Sequence, residues 1–203
     1  MNRNIFILLI SVLCLLTTSA QWLLPVNSFN RNSLSKIRLT PIGNFGLLRK
    51  ARPGVPEHYH TGIDIKRPKD NYDHEPIYPA CKGIVISLRD DGPFAQIILE
   101  HEDGKYGKLW TVYEHVTGIQ CRLGQTVEQT DTIAFFFSKK ELDHFGWQFD
   151  HLHFEIMKEH PLTVKPRKDL PHFQYTTYAL TCTTKLLLEM RLYNPIQFFN
   201  DKN

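Results

Sequence analysis

The sequence has few of the features that would place it outside ordinary globular proteins. Among 203 residues it has four cysteines and no C-x-x-C pair, so a cysteine-based zinc site is not expected. It has no internal repeat and no low-complexity tract. The formal net charge is only +3, which is too small to indicate nucleic-acid binding. Charged residues make up 22% and hydrophobic residues 42%, which is typical of one folded domain.

A hydrophobic run long enough to span a membrane is also missing. Residues 5–16 form a short apolar run, which follows Arg3 and precedes small residues at 18–20. This layout predicts a signal peptide over residues 1–20, and therefore an exported protein, periplasmic or fully secreted, without a transmembrane anchor. An uncleaved anchor is the alternative interpretation.

Three cysteines follow the predicted signal peptide: Cys81, Cys121 and Cys182. In an exported protein they allow one disulfide with one thiol left over, and three pairings are possible. Three buried thiols are the alternative.

Short β-type runs separated by glycine and proline predict a mostly antiparallel β domain from Leu39 onwards. Before it, residues 21–42 carry scattered hydrophobic residues without a clear period and are interpreted as a lead-in segment. The predicted strands cover residues 83–88, 95–100, 109–116, 132–137 and 151–157. Residues 176–184 also favour a strand, and residues 186–193 favour a short helix.

Two histidines, His151 and His153, lie two residues apart in the predicted strand 151–157. Side chains at i and i+2 of a strand point to the same face. Two adjacent imidazoles are costly to bury unless something pairs with them, and a metal ion fits that role. A half-exposed strand with two solvated histidines is the alternative.

Three further residues suggest a metal centre. His60 and Asp64 flank a turn at Gly62 and could converge on one ion, although such a pair alone is often only surface. If they bound zinc together with His153, a fourth position would stay open for water, as in catalytic zinc sites. His115, in another predicted strand, would then be free to handle protons together with His151.

The order of these motifs resembles the lysostaphin/LytM-type zinc endopeptidases. Their pattern is H-x-x-x-D, then Tyr-x-His, then H-x-H followed by Phe-Glu, and all three parts occur here in that order. The resemblance covers roughly residues 43–199. It implies a duplicated hybrid motif fold, an antiparallel β-sheet domain with an open groove, loop insertions and little helix. Further matching landmarks are Asn44-Phe45-Gly46, Arg52-Pro53, residues 79–85, residues 124–127 and Asn194-Pro195-Ile196.

The resemblance implies a role for each of the five site residues. His60, Asp64 and His153 would bind Zn²⁺, and His115 and His151 would be the catalytic pair, with the general base left open.

The same resemblance implies an activity for a catalytic domain over residues 43–203. That activity is an exported zinc metalloendopeptidase that hydrolyses peptide bonds of peptidoglycan cross-links or stem peptides, and we expect a monomer. One alternative is a catalytically inactive relative that binds peptidoglycan or activates an amidase. Another is a binding module with a closed zinc site, for which His58 would be a fourth ligand, although we expect His58 at the surface.

Three segments depart from the family pattern: residues 66–78, 138–147 and 158–193. We interpret them mainly as loops that would wall the groove. They leave open which peptide bond is preferred.

Overall fold

The structure is a computed structural model that describes residues 21–27, 30–73 and 75–202. The predicted signal peptide over residues 1–20 lies outside the described residues. Within the described ranges, none of the helices combines the length and the apolar character that crossing a bilayer requires.

Short antiparallel strands dominate the described part of the chain, with little helix, which confirms the predicted fold class. The strands are β1 (Leu48–Arg49), β2 (His58–Tyr59), β3 (Ile63–Lys66), β4 (Pro76–Ile77), β5 (Gly83–Arg89), β6 (Gln96–Asp103), β7 (Gly107–Glu114), β8 (Val116–Thr117), β9 (Thr126–Val127), β10 (Ala134–Phe136), β11 (His151–Met157), β12 (Leu162–Thr163), β13 (Tyr175–Thr176) and β14 (Leu192–Tyr193). The helices are α1 (Lys139–Phe145), α2 (Lys185–Arg191) and α3 (Pro195–Lys202).

A seven-stranded antiparallel sheet in the order β14-β11-β7-β6-β5-β9, with β3 also paired to β11, forms the centre of the fold. Along β11, Leu152, Phe154 and Ile156 are fully buried in the main core. His151 and His153 therefore project from the other face, because successive side chains of a strand alternate. The prediction that these two imidazoles share a face is confirmed.

Residues 21–42 pack into the core, although their sequence shows no clear period. Trp22, Leu24 and Val26 are each only 1% exposed, and Val26 bridges to Ile77 of β4. Trp22 Nε1 donates to Asp103 at 2.9 Å, across 81 residues of sequence. These long-range contacts make the segment part of the folded domain.

The same carboxylate anchors the other end of the described chain. Lys202, in α3, lies with Nζ 2.6 Å from Oδ2 of Asp103, the oxygen that Trp22 also contacts. Asp103 ends β6, so the first and last described segments meet at one tip of the β6–β7 hairpin.

The prediction of a strand over residues 176–184 is wrong beyond its first residue, because a 3-10 turn follows at Ala179–Thr181. The Thr181 hydroxyl donates to a carbonyl three residues earlier at 2.9 Å. Thr184 caps α2 by accepting a backbone N–H at 3.2 Å. Local hydrogen bonds of threonine side chains therefore replace sheet pairing here.

Residues 138–147, interpreted as a loop, contain helix α1. Ser138 and Glu141 form a capping box, in which each side chain accepts a hydrogen bond from the other residue's backbone N–H. Leu142 is fully buried and anchors the helix, and Gly146, with a φ of 113°, ends it. Part of this segment is thus a capped helix rather than a loop.

The three cysteines of the described region, Cys81, Cys121 and Cys182, are buried free thiols. Of the two interpretations of the sequence, three buried thiols is the correct one. Burial raises the pKa of both Cys81 and Cys121 to about 11, so these thiols stay protonated at neutral pH.

Candidate metal centre and catalytic histidines

The antiparallel pairing of β3 with β11 brings the candidate site residues together. In its register Asp64 lies opposite His153, and Lys66 lies opposite His151. Since alternate residues of a strand share a face, all four side chains project from the same side of the sheet. His60 reaches this side from the segment just before β3.

Two glycines permit this close approach. A Cβ added to Gly62 would lie 2.3 Å from the carbonyl oxygen of Phe154, in β11. One added to Gly43 would lie 2.8 Å from Cβ of Asp64. Any other residue would push these segments apart, so both glycines help to set the distance between the site residues.

Three donor atoms form a nearly equilateral triangle. Asp64 Oδ1 lies 3.0 Å from His60 Nε2 and 2.9 Å from His153 Nδ1. The two imidazole nitrogens are 3.0 Å apart. All three side chains are buried, and together they form a group able to hold a metal ion.

The chemistry and size of this triangle fit zinc. Two imidazole nitrogens and one carboxylate oxygen are a usual donor set of catalytic zinc. With bonds of ~2.0–2.1 Å, tetrahedral zinc separates its ligands by about 3.3 Å, so the triangle needs to open by only about 0.3 Å. Three protein ligands leave one coordination position for water or substrate.

Outer partners fix which nitrogen of each imidazole faces the triangle. His60 Nδ1 donates to the carbonyl oxygen of Asn44 at 2.9 Å. His153 Nε2 donates to Oε1 of Glu155 at 2.9 Å. Because these outer nitrogens hold protons, the nitrogens inside the triangle are the ones that would bind a metal.

Glu155 is a site residue to which the sequence analysis assigns no role. It is fully buried, and it accepts hydrogen bonds from the hydroxyls of Thr61 and Thr177 as well as from His153. Its position two residues after His153 in β11 was the available signal, because that spacing places both side chains on one face.

Arg49 is the second missed residue, since it donates to Oδ2 of Asp64 at 3.1 Å. Arg52, the motif arginine singled out from the sequence, instead forms a backbone bridge near the turn that follows β1. The expectation of a surface-exposed His58 is wrong. His58 is 8% exposed, with Nδ1 2.7 Å from the carbonyl oxygen of Pro56, and it is not a member of the metal group.

The carboxylates make the centre of the site favourable for positive charge. Burial alone would raise the pKa of Asp64, but its close contacts with the imidazoles of His153 and His60 outweigh burial and hold that pKa below its usual range. Burial alone would lower the pKa of His153, but Asp64 and Glu155 raise it well above its usual value. A metal ion in the triangle would supply the positive charge that these carboxylates favour.

His115 has a strained backbone. Its φ of 64° makes it the one non-glycine residue with positive φ among the described residues, a conformation that is uncommon and often found at functional sites. This turn ends β7 at Glu114, before the end of the predicted strand 109–116. His115 Nδ1 donates to the carbonyl oxygen of Pro93 at 2.6 Å, so Nε2 is free to accept a proton.

The second candidate catalytic histidine packs against the first. The rings of His115 and His151 lie edge to face with centroids 4.8 Å apart, and His151 Nε2 lies 3.6 Å from Oδ1 of Asp64. Burial lowers the pKa of His115 to about 4 and that of His151 to about 3, so both are neutral at pH 7. The structure thus brings together all five residues singled out from the sequence.

A comparison with known protein families shows which family the chain belongs to. The profile described as Peptidase family M23 matches residues 58–166, which is more than half of the chain and includes His60, Asp64, His115, His151 and His153. The chain belongs to peptidase family M23. A search among curated proteins found no match.

Several solved structures are similar to this M23 chain at low sequence identity. Lysostaphin from Staphylococcus simulans is 16% identical, with a TM-score of 0.47, over 82% of this chain and 51% of that one. A zinc containing peptidase from Vibrio cholerae is 23% identical, with a TM-score of 0.46, over 68% of this chain and 37% of that one. A structure of the SpoIIIAH and SpoIIQ complex contains a chain that is 18% identical, with a TM-score of 0.46, over 86% of this chain and 96% of that one. At these values the similarity concerns the fold alone.

A cleft of about 480 Å³ opens beside the candidate metal centre of this M23 chain. Asp64 and His151 form part of its lining, so a molecule that contacts His151 would extend into it. Its other walls include the ring of Trp147 and the side chains of Arg38 and Lys66.

Proposed function

We propose that this M23 chain is an exported zinc metalloendopeptidase that hydrolyses peptide bonds in peptidoglycan cross-links or stem peptides. The observation that carries the proposal is the buried triangle of His60, Asp64 and His153 with two neutral histidines, His115 and His151, at its edge. This arrangement combines a metal site with an open coordination position and two groups able to transfer protons.

His60 Nε2, Asp64 Oδ1 and His153 Nδ1 would hold the zinc ion. When bound, zinc supplies Lewis acidity, which polarises a peptide carbonyl and lowers the pKa of water. Glu155 keeps the proton of His153 on Nε2, and the carbonyl of Asn44 keeps that of His60 on Nδ1. These partners hold both imidazoles in the tautomer that can bind the metal.

The two remaining histidines would move protons. Because Nδ1 of His115 is committed to the carbonyl of Pro93, its Nε2 can take a proton from the attacking water and later give it to the leaving amine. His151, protonated or as an N–H donor, could stabilise the carbonyl oxygen on which negative charge develops. Both rings are neutral at pH 7, so either can be the general base.

The choice of peptidoglycan as substrate, and of export, rests on the sequence. The motif order resembles that of wall endopeptidases, and residues 1–20 have the layout of a signal peptide. The cleft beside His151 offers room for a peptide chain.

One observation favours the alternative of an inactive relative that binds peptidoglycan or activates an amidase. The site is tightly covered, since His60, Asp64, His115 and His153 are 4–9% exposed. The rings of Phe94 and Phe149 pack on His115 with centroids 5.8 and 5.0 Å away.

The deciding experiment measures the zinc content of the purified chain together with release of new amino groups from purified peptidoglycan, with and without a chelator. About one zinc per chain and chelator-sensitive release would support the peptidase. Zinc without release on several wall types would support the inactive alternative. A chain that binds no zinc would contradict both the metal site and the proposed activity.

A further inference from the structure

Lys66 places a positive charge next to the catalytic histidines. It ends β3, opposite His151, and it shares a face with Asp64 two residues earlier. Directly paired residues of antiparallel strands have Cα atoms ~4.5–5.5 Å apart. The ammonium group of Lys66 is therefore within side-chain reach of the position where a substrate would meet His151.

Arg38 brings a second positive charge to the same place. The backbone N–H of Lys66 donates to the carbonyl of Arg38 at 2.8 Å, and the next residue, Leu39, bridges to Ile65. Arg38 thus runs alongside β3, and its exposed side chain lines the cleft together with Lys66. Neither cation takes part in any ion pair formed by the described residues.

The other charges of the cleft do not neutralise these two. Arg67 and Asp150 pair with each other at 2.9 Å. Asp64 belongs to the metal centre and also pairs with Arg49. Asp70, which is exposed, is the remaining carboxylate in the cleft lining. Two unpaired cations therefore face one acidic group, which leaves the cleft with an excess of positive charge.

Apolar side chains lie at the rim of the same cleft. Trp147 is 48% exposed and Ile42 is 57% exposed. The ring of Tyr72 supports Trp147 edge to face, with centroids 5.7 Å apart. Two cationic side chains beside exposed apolar ones are complementary to a carboxylate carried on a short apolar stem.

We propose that this cleft is a substrate subsite that binds a carboxylate of the peptide through Lys66 and Arg38. The inference rests on the proposed peptidase function, because it takes the cleft to hold the chain that is cut. Residues on one face of β3 repeat every ~6.6 Å, and an extended peptide advances ~3.3–3.6 Å per residue. The bound carboxylate therefore belongs to a residue one or two positions from the scissile bond.

Binding of a minimal ligand pair tests the subsite without turnover. N-acetylalanine and N-acetylalaninamide differ only in the carboxylate, and the fluorescence of Trp147 in the zinc-loaded protein reports their binding. A Trp147→Phe variant separates this signal from those of the buried Trp22 and Trp110. We expect the carboxylate to bind about tenfold more tightly than the amide at low salt, and the preference to shrink as salt is added.

A double variant shows whether Lys66 and Arg38 cause the preference for the carboxylate over the amide. In Lys66→Gln/Arg38→Gln we expect carboxylate and amide to bind equally. The control Lys168→Gln/Lys185→Gln removes the same charge from exposed positions outside the cleft and should keep the preference. Equal binding in the wild-type protein would overturn the proposal. So would a preference that survives in the Lys66→Gln/Arg38→Gln variant, because the carboxylate would then be bound at the metal.

Peptide hydrolysis distinguishes the two sources of such a carboxylate. The two peptides of one pair of wall stem peptides differ only in an internal glutamate or glutamine. The two peptides of a second pair differ only in a free or an amidated C-terminus. A KM that rises only in the first pair assigns the subsite to an acidic side chain, and one that rises only in the second assigns it to the C-terminus. Hydrolysis without any KM difference overturns the subsite but leaves the peptidase. Carboxylate binding without hydrolysis supports the site and contradicts the peptidase.

Discussion

Glu155 Oε1 lies 2.9 Å from Nε2 of His153, on the side of the imidazole turned away from Asp64. This carboxylate fixes the ring proton on Nε2, and so it decides which nitrogen faces the metal position. Thr61 and Thr177 hold the carboxylate in turn. If the triangle binds zinc as proposed, Glu155, which lies outside it, would control that binding.

Glu155→Gln should weaken zinc binding by about 10- to 100-fold, because the amide keeps the shape of the side chain but loses its charge. Competition with a zinc-binding dye measures the affinity. Glu102→Gln, at an exposed position of β6, is the matched control and should bind zinc as the wild type does. Equal affinities of the two variants would show that Glu155 does not orient His153.

His115→Ala should keep about one zinc per chain but lower kcat/KM on peptidoglycan peptides by about 10²- to 10⁴-fold, the usual contribution of a general acid or base. His153→Ala should lose the metal, because it removes a donor atom of the triangle. The exposed His172→Ala is the control. A His115→Ala variant that works at nearly the wild-type rate would show that His115 is not catalytic.

Gly62→Ala should destabilise the chain and weaken zinc binding, since the added Cβ would lie 2.3 Å from a backbone oxygen of β11. Overpacking of this kind costs about 1–3 kcal/mol, and each kcal/mol lowers Tm by about 2–4 °C in a domain of this size. Gly54→Ala is a demanding control. Its φ is +75° but it has no heavy atom within 4 Å of the added Cβ, so it should cost only the backbone strain of about 1–2 kcal/mol. A smaller Tm loss for Gly62→Ala than for Gly54→Ala would contradict the packing argument.

His101 should make the stability of the metal-free protein depend on pH. Burial lowers its pKa to about 4, below the ordinary value of 6.5, so the unfolded chain binds the proton more readily than the folded chain. The free energy of unfolding should therefore decrease as pH falls from about 6.5 to about 4, by about 3 kcal/mol in total from this residue.

Urea unfolding at several pH values, with a chelator present, measures this dependence. His101→Gln should show a shallower decrease over the same window, whatever its stability at pH 7. His172→Gln, at an exposed position, should leave the slope unchanged. Equal slopes for the wild type and His101→Gln would show that the buried histidine is not responsible.

The strands that carry the site were predictable because their sequence patterns are strong. β11 has the predicted bounds, 151–157, since Leu152, Phe154 and Ile156 alternate with polar residues. The grouping of His60, Asp64 and His153 was predictable from the order of their motifs, which resembles the lysostaphin/LytM pattern, whereas the spacing of His60 and Asp64 alone is a weak signal. The distances among the three were not predictable, because they depend on the register between β3 and β11.

Other features of the structure could not be predicted from short stretches of sequence. The positive φ of His115 has no local signal, since the sequence there is compatible with a continuous strand. The contact between Trp22 and Asp103 joins residues far apart in sequence. Helix α1 is a different case, because the Ser138–Glu141 capping box was a local signal that the sequence analysis did not use.

The burial of Trp22, Leu24 and Val26 has a practical consequence for recombinant production of a shortened chain. Recombinant protein starting at residue 43, where the family resemblance begins, would lack three side chains that are each 1% exposed. Burial of each such side chain contributes ~1.5–3 kcal/mol to the free energy of unfolding. Loss of all three would remove much of the ~5–15 kcal/mol that is typical of a domain. Such a shortened product should aggregate, whereas one that starts at residue 21 should stay in solution.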